Sequence, residues 1–268
     1  MKQKVFVFLA AGVLYLFPFP AQAETWQQLK DKHFIVLYNF KEDTRAAETV
    51  LRRAEEYYSK IANQIGYSRY ANFWTWDERV KIIIFPSQEA FMQTTGQPAW
   101  SRGYSNRDSR LFRSRTIITY RQESEFLEGV LPHEVGHLIL KDFVGFNTTV
   151  PLWFEEGVAQ LQESDKKLRA DQSLRPVIKR GIHIPFNLLM AWDIRKETDS
   201  QKVSLFYLQS VSIVDFLLKR YGSGSFGNLC RGLKNGKGFE EALRAAYSSA
   251  FFKSIEELEK KWLSDMKQ

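Results

Sequence analysis

Leu131–Leu140 reads LPHEVGHLIL, and it sets His133 and His137 four residues apart with Glu134 directly after the first. On a helix, positions i and i+4 lie one above the other on the same face. Two imidazoles placed so can share one divalent cation. Glu134 then falls beside the remaining coordination position, where a water would sit. Two ligands and a general base at this spacing are the physical content of H-E-x-x-H. The chain has only four histidines among 268 residues, so a chance pairing at this spacing is rare.

A catalytic zinc site takes three protein ligands and leaves a fourth place to water. Residues 151–159, PLWFEEGVA, offer two carboxylates. Seventeen residues separate His137 from Glu155, and eighteen separate it from Glu156. At this point the chain resembles the gluzincin zinc metallopeptidases of the peptidase-MA-like kind. These carry H-E-x-x-H, an eighteen-residue spacer and a Glu within W-[LF]-x-E-G-x-A, here Trp153-Phe154-Glu155-Glu156-Gly157-Val158-Ala159. Glu155 reads first as a surface carboxylate, with a partner to a ligating His as the alternative; the resemblance makes Glu156 the third ligand of a Zn2+ ion. It implies an α+β, zincin-like fold: a small mixed sheet with helices in an upper lobe, residues 24–147, and a mostly helical lower lobe, residues 148–268.

The resemblance reaches further, more loosely. Tyr207-Leu208-Gln209-Ser210, Phe216-Leu217 and Tyr221-Gly222 are similar to the family's helical lobe. By that similarity Tyr207 would donate a hydrogen bond to the oxyanion; by its own surroundings it is a core tyrosine on an apolar helix face. By the same similarity the strand before the zinc helix, Thr116–Tyr120, would be a sheet edge along which an extended substrate pairs; by its own residues it reads equally as a plain hairpin arm. One motif is missing. Aminopeptidases with this spacer carry G-x-M-E-N before the zinc helix, and this chain does not. The expectation is therefore an endopeptidase or a narrow processing enzyme acting on peptide or protein.

The N-terminus reads as a secretory leader. Lys2 and Lys4 precede an apolar run from Val5 to Phe19, and Ala21-Gln22-Ala23 follows. The run is shorter than the ~20 apolar residues a membrane span needs, and Pro18 interrupts it. Cleavage after Ala23 is expected, giving a chain exported to the periplasm or the exterior without stable membrane insertion. The formal net charge of +7 falls by two with the leader and names no partner. Cys230 is the only cysteine, so no intrachain disulfide can form; it reads as a small buried hydrophobe.

Arg102, Arg107, Arg110, Arg113, Arg115 and Arg121 cluster around a hairpin expected at 101–121, turning near Asn106–Ser109. They read first as a solvated face, and secondly as an attraction for acidic or phosphate-bearing material. The seven tryptophans, Trp74 and Trp76 among them, read as packing. No aromatic–basic interleaving points to nucleic acid. Two other functions stay open: a zincin-fold binding or assembly module without hydrolysis, and a hydrolase of cell-envelope material. Oligomeric state is not legible.

The remaining elements follow from periodicity and punctuation. Lys32–Asn39 and Val80–Phe85 read as strands. A helix capped by Asp43 or Thr44 runs to Gly66, and Ser87 caps another that ends at Gly96. The zinc helix starts near Glu125, with Pro132 either bending it or marking its first turn. Gly136 implies close approach of a backbone or of substrate, and Gly157 implies room beside Glu156. Pro151 opens the third-ligand helix. Ser164–Lys202 reads as the least regular part, with one or two short helices. Val203–Tyr221 is a helix that stops at Gly222, followed by helices near Ser225–Leu233, Gly238–Ala246 and Ser254–Met266. His33 and His183 read as structural.

Overall fold

The computed structural model describes residues 26–39, 44–67, 78–99, 101–106, 115–121, 125–163, 166–247 and 252–267. The expected leader, Asp43, Trp74, Trp76, Arg107, Arg110, Arg113, the hairpin tip at 107–109 and residues 122–124 of the link into the zinc helix lie outside them.

Val80–Phe85 (β3) is the middle strand of a mixed five-stranded sheet in the order β1-β2-β3-β5-β4. Its alternation of buried and half-buried residues, with Val80, Ile82 and Ile84 inward, is what one packed face requires. Phe34–Tyr38 (β2) runs parallel to it on one side and Thr116–Tyr120 (β5) parallel on the other, so Val36, Ile82 and Ile117 stand in one row. Gln27–Lys30 (β1) and Gly103–Asn106 (β4) close the two sides as antiparallel strands. Parallel neighbours need a crossover. Thr44–Gln64 (α1) supplies the one from β2 to β3, packing its apolar stripe, Val50, Ala54, Tyr57 and Ile61, onto the sheet and the helix that carries the two histidines. Thr44 opens that helix and Gly66 follows it at φ 76°, as a helix stop demands.

β5 therefore lies inside the sheet. The expectation that Thr116–Tyr120 is an edge is corrected: the outer strand on that side is β4. Chain order hid this, because β4 precedes β5 in sequence and then folds back outside it.

Ser87 caps Gln88–Thr95 (α2) by accepting a hydrogen bond from the Ala90 N–H, and Gly96 ends it in the left-handed region. The helix that carries the two histidines has two parts. Phe126–Val130 winds as a π-helix and Leu131–Val144 (α3) as an α-helix. Pro132 explains the join. Its ring would clash with the carbonyl four residues back and it has no N–H to donate; a widened turn immediately before it removes the conflict. Leu152–Gln160 (α4) follows, with Pro151 at its cap rather than its first position.

Ser164–Lys202 is more regular than its composition implies. Lys166–Lys179 (α5) is a helix despite Pro176, and Phe186–Ala191 (α6) is a second. Ser200–Lys234 (α7) runs the length of the helical half, with Gly222 at φ 78° and ψ 166° breaking its winding where the sequence places a stop. Phe239–Tyr247 (α8) and Ile255–Met266 (α9), capped by Ser254, complete the chain. Cys230 is fully buried, and its thiol is pushed up by that burial. Among the described residues, no helix is long and apolar enough to cross a membrane.

Candidate metal centre

α3 carries His133 and His137 on one face, and α4 crosses that face at close range. Glycines permit the crossing. A side chain at Gly136 would meet the Ala159 Cα at 3.1 Å, so the glycine there answers to a neighbouring backbone. A Cβ on Gly157 would meet the Ser210 carbonyl oxygen at 2.5 Å. Its space faces α7, and the expected role of making room beside Glu156 is corrected. Aromatic packing fixes α4 on its other sides. Phe154 stacks on Phe226 at 5.3 Å, and Trp153 and Phe154 both meet Phe239 edge-on. Burying a side chain such as Phe154 stabilises the fold by about 1.5–3 kcal/mol.

The outcome is a convergence. His133 Nε2 lies 3.1 Å from His137 Nε2. Glu156 Oε2 lies 3.9 Å from the first and 3.8 Å from the second. One ligand atom from each falls within 4.8 Å of the others, so the three side chains could hold a metal ion. The far sides of both rings face carboxylates. Glu163 Oε1 is 3.0 Å from His133 Nδ1, and Glu155 Oε1 is 3.3 Å from His137 Nδ1. Lys141 in turn lies 3.1 Å from Glu155 Oε2. The hydrogen bond to Glu163 fixes the His133 ring, Glu155 stands beside Nδ1 of His137 as a charged neighbour, and both rings keep Nε2 toward Glu156. That is the donor set a cation needs, so the residues present fit a metal.

Electrostatics follow the geometry. Burial alone would lower the His133 imidazole, but the Glu163 hydrogen bond and the charges of Glu134 and Glu156 outweigh it, and the net shift is upward. Burial would likewise raise Glu163; its contacts with His133 and Lys166 hold it low instead.

Glu134 follows His133, and the two side by side line a cleft. Its Oε2 accepts a hydrogen bond from the Ser105 backbone N–H at 3.0 Å. The cleft holds about 560 Å³ and is bounded by Arg102 and Gly103 of the β4 side, the π-helical turn, Glu163 and Leu208. Tyr207 sits half-buried on α7. Its phenol is raised first by burial and then by the charge of Glu156, so it lies within electrostatic reach of the centre.

Residues 77–268 match the family model of the peptidase MA superfamily. The chain belongs to that superfamily. No curated protein matches it. Membership of the peptidase MA superfamily gives a peptidase-type hydrolase with peptide or protein substrates, usually metal-dependent, on the mixed α+β architecture described above.

Glu155 is not a surface carboxylate; only 5 % exposed, it stands between His137 and Lys141. Glu163 was not singled out. It lies seven residues, two helical turns, beyond Glu156, and that spacing was the available signal. His33 faces Glu55 and stacks on Tyr58, and His183 contacts Glu259; neither joins the centre. Of the arginine cluster, Arg102 pairs with Glu125, and Arg115 pairs with Asp142 at 2.5 Å under Phe146. Arg115 is thus a packed structural cation and not part of a solvated face.

Proposed function

We propose that the chain is an exported, zinc-dependent endopeptidase of gluzincin type, with residues 1–23 removed as a leader. The reading divides the rest into an upper lobe, 24–147, bearing the two histidines, and a lower lobe, 148–268, bearing Glu156 and Tyr207. The observation that carries it is the meeting of His133 Nε2, His137 Nε2 and Glu156 Oε2 within 4.8 Å, beside an open cleft. Two imidazoles and a carboxylate suit zinc.

Zinc, when bound, supplies a Lewis acid that polarises the scissile carbonyl and acidifies a water. The chain's own residues do the rest. Glu163 and Glu155 hold the imidazoles with Nε2 inward. Glu134 takes the proton of the attacking water and passes it to the leaving amine. Tyr207, kept protonated by its raised phenol, donates to the carbonyl oxygen as negative charge develops there. β4, the outer strand beside the cleft, offers backbone groups to an extended peptide. The absence of an amine-binding G-x-M-E-N segment favours internal cleavage.

The test uses purified chain from residue 24. Bound zinc near one equivalent, lost in His137→Ala, and chelator-sensitive hydrolysis of unfolded protein but not of wall fragments are expected. Glu134→Gln should keep the metal and abolish hydrolysis. Full activity in Glu134→Gln would refute the assigned base, and a wild type that binds metal but cleaves nothing would leave a binding module.

A further inference from the structure

The bond between the Ser105 amide and Glu134 has no role in the reading so far, and it joins two elements that the chemistry needs in register. Ser105 lies on β4, paired with Ile117 of β5. Its N–H does not enter that ladder; it points outward and meets Glu134 Oε2 at 3.0 Å. In an antiparallel strand, residues two apart direct their backbone groups to the same side, so Gly103 also faces the cleft that it lines. β4 is seated close enough for this because position 103 has no side chain. A Cβ there would meet the Ile118 carbonyl oxygen at 3.0 Å and Val130 Cγ1, on the π-helical turn, at 3.2 Å.

We propose that the backbone amide of Ser105 is the positioning group of the base. This rests on the reading of Glu134 as that base. A glutamate side chain has three rotatable bonds and, half-exposed at the rim of a cleft, many rotamers. A charge-assisted bond from a fixed strand amide holds one carboxylate oxygen and leaves the other to face the attacking water. A peptide laid along β4 therefore finds the Ser105 N–H engaged and pairs through Gly103. The Ser105 hydroxyl takes no part. Its Oγ is buried without a hydrogen-bond partner, so trimming it to alanine leaves no other group unsatisfied.

Proline at 105 removes the N–H alone. The outward-facing side of an edge strand is where a sheet tolerates proline, and Tyr104 before it is already extended. The comparison is Ser105→Pro against Ser105→Ala in the zinc-loaded chain, with metal content and thermal midpoint measured first. Ser105→Ala is expected to match wild type. Ser105→Pro is expected to lose about ten- to a hundredfold in kcat, with KM within about twofold of the alanine variant. Equal kcat in the two variants, or a loss carried wholly by KM, would overturn the inference, the latter making the amide a substrate anchor. A second measurement needs neither proline nor turnover: hydrogen exchange at the Ser105 amide should be slow in the wild type and fast in Glu134→Ala. Equal exchange in both sinks the inference. If wild type hydrolyses no peptide, the peptidase reading fails on that result, while the exchange experiment still decides the bond.

Discussion

Glu163 Oε1 stands 3.0 Å behind His133 Nδ1, on the side of the ring away from Glu156. The carboxylate comes from just beyond α4, the helix that bears Glu156, so one short segment supplies a candidate ligand atom and also a partner for the candidate ligand His133. Partners of this kind are worth roughly ten- to a hundredfold in metal affinity. Glu163→Ala is expected to weaken zinc binding by that factor with the fold intact. Competition against a chelator of known affinity measures it, and an unchanged affinity would show that the Glu163 contact does not matter to the ion.

Acid should favour the metal-free protein and disfavour the loaded one. His133 is raised in the folded state above its unfolded value of about 6.5. Its stabilisation is therefore fully present below that value and is lost as pH rises through the folded one. Glu163 is depressed, so its share is present above the unfolded carboxylate value of about 4.3 and is lost as pH falls through the folded one. The thermal midpoint of chelator-treated wild type, minus that of Glu163→Gln, should be largest between about pH 4.3 and 6.5 and should shrink above. Zinc affinity should move the other way across the upper part of that range, because the ion needs the neutral ring.

Gly157→Ala tests the seating of α4. The new methyl would overlap the Ser210 carbonyl oxygen and Val214 on α7, and backbone on one side cannot rotate away. A destabilisation of about 1–3 kcal/mol is expected, with weaker zinc binding because Glu156 is the adjacent residue. Denaturant unfolding and metal titration of the same variant report the two effects. Intact affinity would mean that the centre tolerates a shift of the helix.

Asp142→Ala tests the far end of the zinc helix. Asp142 receives Arg115 at 2.5 Å and lies 3.4 Å from the Tyr67 hydroxyl, its own side chain almost fully buried. Removing Asp142 leaves the part-buried guanidinium with Glu78, whose carbonyl and carboxylate it meets at 3.1 and 3.2 Å, so the cost is about 1–3 kcal/mol. Chemical denaturation should show that loss, and zinc stoichiometry at low temperature should stay unchanged. A loss below about 1 kcal/mol would place the pair with ordinary surface bridges.

The centre was legible because its ligands recur at local spacings. Helical periodicity puts His133 over His137, and the Trp153–Ala159 segment marks Glu156. What escaped was set by packing between distant segments. Glu155 looked superficial because a residue beside a ligand turns about 100° away from it; α4, however, is enclosed by α3 and α7 and has little solvent face to offer. The edge strand was misplaced because sheet order is a nonlocal property, and β5 slips between β3 and β4 to pair in parallel with the former. β1 went unseen because Gln27–Lys30 is short and polar. α5 is longer than the short helix expected there because burial of Ala170, Leu174 and Ile178 sustains it against Pro176 and its charges.

α7 packs against α1, α3, α4, α5 and α8. Before Gly222 it lies against α4 at Gly157; after Gly222 it meets the turn that ends α1, where a Cβ on Gly66 would come within 2.4 Å of the Ser223 carbonyl oxygen. Two helical segments joined at Gly222 thus brace α1 and the helices that carry the histidines and Glu156 together. Calorimetry should record a single cooperative melting peak, with no separate step in which the sheet survives the helices.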